Sequence, residues 1–258
     1  MADEIVTPNP WQSLRRFTSA RIGLGRAGDS LPTEALLAFQ LDHARARDAV
    51  HLPFAAGEVA AQIAAVGHEV ITIHSDAESR AVYLRRPDLG RRLSAEARRL
   101  LEQRAASAEG YDVVFVVADG LSALATHRHA APLLIATTAA LSGMGWRVAP
   151  VVVAGQARVA LADEVGELLR AEQAAILIGE RPGLSVADSL GVYLTYGPRR
   201  GRTDAERNCI SNIHGQGLSY EAAQATLIYL MTQARRLRLT GVELKDDRGE
   251  ADAAAQLP

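Results

Sequence analysis

The feature that most constrains this chain is a series of short β-branched runs, each stopped by glycine, proline or charge. Residues 112–118 read DVVFVVA and stop on Asp119-Gly120, and residues 147–154 read RVAPVVVA and stop on Gly155. Residues 174–178 (AAILI) stop on Gly179-Glu180-Arg181-Pro182-Gly183, and residues 190–196 (LGVYLTY) stop on Gly197-Pro198. Near-continuous apolar runs of this length are the pattern of strands buried on both faces. Helical patterns at 121–129 and 159–170 lie between them and supply the crossovers that parallel strands need. In open α/β sheets ligands collect at the carboxyl ends of the strands. That makes 174–217 the stretch around which the rest is organised: two strand ends, then a polar loop with the only cysteine, Cys209, and with Asn212 and His214.

The expectation is therefore an α/β fold, a Rossmann-like parallel sheet with helices on both faces, preceded by a mainly helical N-terminal portion. Upstream of the sheet, Leu36, Phe39, His43, Ala46 and Val50 recur at spacings of three and four after Pro32, and Pro53 ends that helix. His43 lies on the apolar side and is expected as a packed core group. A second helix at 55–66 leads into a short strand at 70–73. A third, at 94–106, is capped by Ser94 with Leu100 and Leu101 facing inward. The last helix, 219–239, carries Tyr220, Ala223, Leu227, Leu230, Ala234 and Leu237 as one stripe, and the acidic, Ala-rich tail after Lys245 is expected to fray. A boundary near Ser107 divides the chain into a mainly helical portion with an extended start (1–106) and a sheet domain (107–258).

Acids and bases nearly cancel in these 258 residues, at a formal net charge of −2, so no global field points to nucleic acid or an anionic membrane. One cysteine excludes an internal disulfide framework, and the N-terminus has no apolar signal region; a cytoplasmic setting is expected. The longest charge-free stretch, 130–146, is shorter than a membrane span and is broken by Pro132, Gly143 and Gly145. It reads as a buried helix running into a strand. Between Arg80 and Arg104 stand eight arginines against Asp88, Glu96 and Glu102. They read as a solvated helix face, or as a contact for an acidic partner surface.

Few residue patterns carry chemistry outright. Gly23-Leu24-Gly25-Arg26-Ala27-Gly28 fits G-x-G-x-x-G, with Asp48 downstream, but no β-run feeds it and the next helix starts later, so a glycine-rich surface segment is preferred. Asp119 and Ser122 stand where either could cap a helix, or where the turn could meet an anion. His127 and His129 are two apart, on different helix faces, and make no metal pair. Cys209 with His214 could be a thiolate and its base, although an isolated cysteine is more often a small apolar group. Glu180 and Arg181, at a strand's carboxyl end before Pro182 and Gly183, either pair with each other or face a polar ligand. Walker A, G-x-S-x-G, C-x-x-C and H-E-x-x-H patterns are all missing from the sequence. From the residues alone the reading stops at an α/β domain with a ligand edge and no evident catalyst, which leaves open a stand-alone Rossmann-like nucleotide-binding enzyme and a non-enzymatic assembly protein.

Five blocks taken together carry a resemblance: RIGLGRAGDSLPT at 21–33, YLRRPDLGRRL at 83–93, VVADGLSA at 116–123, LIGERPGLS at 177–185 and NCISNIH at 208–214. The chain resembles the small subunit of ethanolamine ammonia-lyase over residues 11–241. The resemblance implies an adenosylcobalamin-dependent lyase that converts ethanolamine to acetaldehyde and ammonia. It implies a TIM-barrel large subunit as partner, in a heterododecamer of six large and six small subunits, with cobalamin bound base-on between them. Cofactor contacts carry over to Val159 in QARVAL, Glu180 in LIGERPG and Cys209 in NCISNIH. The D-x-H-x-x-G cobalamin motif is missing, as base-on binding leads one to expect. No catalytic residue and no metal site is expected here, because the substrate and radical residues of the family belong to the large subunit. Relatives are often enclosed in a bacterial microcompartment through an N-terminal extension; the short segment before Trp11 argues against enclosure here.

Overall fold

The computed structural model describes residues 5–105 and 110–248. The expected boundary at Ser107 and the tail beyond residue 248 lie outside the described residues. An N-terminal arm (5–30) contains one 3-10 stretch, Gln12–Phe17, and is pinned to itself by a bridge between Thr7 and Arg26. Then follow α1 (Thr33–His51), α2 (Ala56–Ala64), β1 (Val70–His74), α3 (Arg80–Arg85) and α4 (Ala95–Ala105). Next come β2 (Tyr111–Ala118) and α5 (Ala123–Ala125), which passes through a π turn (Thr126–Ala130) into α6 (Ala131–Gly143). The chain continues through β3 (Val151–Gly155), α7 (Leu161–Leu168), β4 (Ala171–Gly179), β5 (Leu190–Tyr196), β6 (Asn208–Ile213) and α8 (Tyr220–Leu237).

All six strands form one sheet in the order β1-β3-β2-β4-β5-β6. The first four are mutually parallel, whereas β5 runs antiparallel to β4 and β6 antiparallel to β5. The sheet is thus mixed, and the all-parallel expectation is corrected at β5. The reason lies in the connection: residues 180–189 contain no helix, and a return to parallel needs about a dozen residues or more of crossover. The polar stretch at 208–213, expected as loop, is likewise a strand, placed at the sheet edge where Cys209, Ser211 and Asn212 face water. Because β1 pairs with β3, the sheet draws on the chain from both sides of residue 107.

Side chains alternate across the sheet along β2 and feed two cores. Val113, Phe115 and Val117 join α2, α6 and α8 in one cluster; Val114, Val116 and Ala118 join α4 and α7 in the other. Helices therefore cover both faces. Ser94 caps α4 as expected, accepting from Ala97 N at 3.1 Å, and Leu101 is fully buried, but its neighbour Leu100 is exposed. Ser219 caps α8 in the same way. The larger departure is α1. Its apolar spacing reads correctly as a helix, yet only Ala49 is buried, and His43 stands exposed, stacked on Phe39 at 6.2 Å. Arg21 of the arm pairs with Asp42 and lies over the Phe39 ring at 5.7 Å. No helix among the described residues is long and apolar enough to cross a membrane.

Candidate functional site

Backbone packing at the carboxyl ends of β2 and β4 builds the floor of a cleft. Gly120 has φ +54°, and Leu121 N donates to Gly179 O at 2.9 Å. A Cβ on Gly120 would meet Gly179 O at 2.2 Å, and one on Gly179 would meet Ser122 O at 2.0 Å. Only glycine lets the two strand ends close this far. The adjoining helix is capped by Ser122, whose Oγ accepts from Ala125 N at 3.2 Å. Asp119 does something else: its Oδ1 accepts from Ala157 N at 3.1 Å and its Oδ2 from Arg80 at 3.1 Å. Arg80 also donates to Gly120 O and Val50 O, so one guanidinium ties α1 and α3 to the cleft floor. Burial pushes the Asp119 carboxyl up to about 6, with Arg80 pulling the other way.

The cleft, about 450 Å³, is lined by Tyr83, Gly120, Arg158, Val159, Glu180 and Tyr193 among others. Arg80 and Arg158 both lie over the Tyr83 ring, at 4.8 and 4.6 Å, and the Tyr83 hydroxyl donates to Ala157 O. Burial, followed by the charge of Asp119, raises the Tyr83 hydroxyl to about 12, so it stays a donor. This plug holds the 156–159 turn, and with it Val159, which is half-buried just ahead of α7.

Glu180 does not pair with Arg181, which is exposed. Its Oε2 accepts from Ser189 Oγ at 2.5 Å and from Asn212 N at 3.3 Å, while Oε1 accepts nothing among the described residues. The register between β5 and β6 shifts at this point, and Asn212 takes φ +63°. The bulge re-aims the Asn212 N–H toward the carboxylate. Cys209 pairs across the ladder with Tyr193, a wall of the cleft, and is itself exposed. Desolvation by its surroundings raises the thiol, with the Glu180 charge adding to this and Tyr193 opposing it. A raised thiol is the reverse of an activated nucleophile. His214 is held instead by Asn212 Oδ1 at 2.8 Å.

The structure thus brings Val159 and Glu180 into one cleft, with Cys209 beside its Tyr193 wall. Sequence reasoning missed Tyr193, Tyr83 and Arg158. Tyr193 alone carried a signal, as an aromatic residue inside a strand that ends at the ligand edge. The remaining candidates fall elsewhere. The Gly23–Gly28 segment has neither a feeding strand nor a helix at its end, since α1 starts at Thr33. His127 accepts from Ala55 N at 3.0 Å, and His129 pairs with Tyr220 at 2.6 Å. Among the described residues no group of three or more His, Cys, Asp or Glu could hold a metal ion. Several of the Arg80–Arg104 arginines are bound within the chain, Arg98 to Glu164 and Arg104 to Glu69 among them.

A mixed sheet covered by helices on both faces, with a cleft at the carboxyl ends of its parallel strands, defines the class: an α/β domain. Comparison with known proteins narrows it. The family model "Ethanolamine ammonia-lyase light chain (EutC)" matches residues 8–245. Proteins named ethanolamine ammonia-lyase small subunit from Ralstonia nicotianae and Azotobacter vinelandii are each 57% identical over 242 residues, 93% of this chain and 90% of theirs. The one from Pseudomonas syringae pv. tomato is 55% identical over 246 residues, 95% of this chain and 86% of that protein. The chain belongs to the ethanolamine ammonia-lyase light-chain family.

Proposed function

We propose that this chain is the cofactor-seating half of an adenosylcobalamin-dependent ethanolamine ammonia-lyase, working with a large subunit that carries the substrate site. The observation that supports this best is the cleft itself, where Val159 and Glu180 sit together and Cys209 is adjacent. The residues suit one edge of a corrinoid. The free Oε1 of Glu180 takes a hydrogen bond from a side-chain amide, Val159 gives apolar contact, and the neutral Cys209 thiol adds no charge. A cleft of about 450 Å³ is far smaller than a corrinoid with its nucleotide loop, so the rest of the cofactor needs a second protein surface. The relatives' name, small subunit, supplies the partner. When bound, adenosylcobalamin supplies the radical chemistry; this chain orients it and excludes water from one side.

In the reconstituted complex, Glu180→Ala is expected to weaken cobalamin binding by ~1–3 kcal/mol, the cost of losing a buried hydrogen bond and leaving its partner unsatisfied. Equilibrium titration of the cofactor measures it. An unchanged dissociation constant would refute the role given to Glu180.

A further inference from the structure

Glu180 takes its direction from two segments that are distant in the chain. Ser189, which donates to its Oε2 at 2.5 Å, ends the helix-free loop 180–189, and Asn212, which donates at 3.3 Å, stands near the end of β6. The carboxylate lies over Gly191 of β5, where a Cβ would meet Oε1 at 3.0 Å. One side chain outside the cleft, His129, reaches both segments. Its Nε2 is 3.3 Å from Oδ2 of Asp188, the residue before Ser189, and its Nδ1 is 2.6 Å from the Tyr220 hydroxyl. Tyr220 opens α8 two residues after Leu218, whose N–H donates to Asn212 O at 2.7 Å. His129 is 7% exposed and lies in the π turn, and single π turns inside α-helices recur at functional sites.

Burial raises the Asp188 carboxyl, but hydrogen bonds from Arg128 and His129 outweigh it and hold the group below its ordinary value, so it is ionised and only accepts. His129 Nε2–H therefore donates to Asp188, which leaves Nδ1 of the neutral ring to accept from the Tyr220 hydroxyl. A phenylalanine at 129 would fill the space and make neither contact. The loop is held once more by Ser122, which donates to Ala187 O at 2.8 Å, so residues 187, 188 and 189 each have a partner outside their own backbone. We propose that His129 is a positioning residue for Glu180: it holds Ser189 and Asn212 at the spacing that lets one carboxylate oxygen accept from both, and Oε1 stays free for the cofactor. The inference rests on the cofactor-seating reading above. A carboxylate oriented before its ligand arrives loses less freedom on binding, which is how a supporting layer of contacts adds affinity.

The test is a double-mutant cycle in the reconstituted complex, with the adenosylcobalamin dissociation constant measured for His129→Phe, Glu180→Ala and the two combined. His129→Phe alone is expected to weaken binding about fivefold, and by no more than about twofold once Glu180→Ala is present, because the group it acts through is gone. Tyr220→Phe removes a single hydroxyl from a half-buried ring and keeps the test available if His129→Phe does not fold; about threefold is expected, again only with Glu180 in place. His127→Phe is the control. It lies in the same π turn but accepts from Ala55 N and stacks on Phe54, so its cofactor affinity should match that of the parent chain. Equal losses for His129→Phe in both backgrounds, equal losses for His127→Phe and His129→Phe, or no loss for His129→Phe and Tyr220→Phe would overturn the positioning role and leave the cofactor-seating reading standing. Full affinity in Glu180→Ala would overturn the role of Glu180 and this proposal with it, and no cobalamin binding by the parent complex would overturn the reading itself.

Discussion

Arg207→Ala is expected to lower the unfolding free energy by about 3–5 kcal/mol at pH 7, the range for breaking a buried ion pair. Arg207 and Asp163 are bound to each other with side chains 2% and 3% exposed. Arg207 also donates to Thr203 O at 2.5 Å and Arg202 O at 3.1 Å, which fixes the loop before β6. Removing the guanidinium leaves a buried carboxylate with only the weaker pull of Arg202 as counter-charge. Burial already pushes the Asp163 carboxyl up to about 6 from 3.8, with Arg207 opposing. A carboxyl raised in this way binds its proton better when folded, so its contribution is complete below about pH 4 and fades as pH rises through 6. The loss in Arg207→Ala should accordingly be smaller at pH 5, where Asp163 is mostly neutral, than at pH 7. Urea unfolding at both pH values measures this; equal losses, or a loss below about 1 kcal/mol, would contradict the pairing. The pair joins α7, just after Val159, to the segment just before Cys209, so loosening it should disturb both candidate contacts.

Gly120→Ala should cost about 3 kcal/mol, combining ~1–2 for a left-handed residue with a side chain and ~1–3 for overpacking. The added Cβ would lie 2.2 Å from Gly179 O and 2.5 Å from Ile178 Cγ1, and the carbonyl cannot move without shifting the end of β4. Gly67→Ala provides the comparison. Gly67 is also left-handed, at φ +92°, but open space surrounds it, so only the strain of about 1 kcal/mol is expected. Similar melting temperatures for the two variants would show that the floor of the cleft tolerates a side chain. The Gly120 variant should also bind cobalamin more weakly in the complex, because Glu180 follows the strand end that is displaced.

What the sequence disclosed and what it hid have physical reasons. The runs at 112–118 and 174–178 are buried on both faces, so nothing polar interrupts them, and their carboxyl ends are visible as glycine and charge. The direction of β5 was legible too, in the length of the helix-free 180–189 connection, but an apolar run looks the same whichever way it points. β6 was hidden because an edge strand with Asn208, Ser211 and Asn212 has the composition of a loop; only Ile210 and Ile213 face inward. The carboxylate partners of Glu180, Ser189 and Asn212, follow from an antiparallel register and a bulge that no local pattern announces. With α1 the helix was readable and its burial was not. Leu36 and Phe39 have the spacing of a core stripe, yet they stand 42% and 40% exposed.

Under the proposed function this chain supplies shape to a cofactor and no catalytic group of its own. Assaying acetaldehyde release from ethanolamine tests it most directly, using this chain alone, the large subunit alone, and the two together, each with adenosylcobalamin. Turnover is expected only when all three components are mixed. Turnover by this chain without the large subunit, or by the large subunit without this chain, would contradict it.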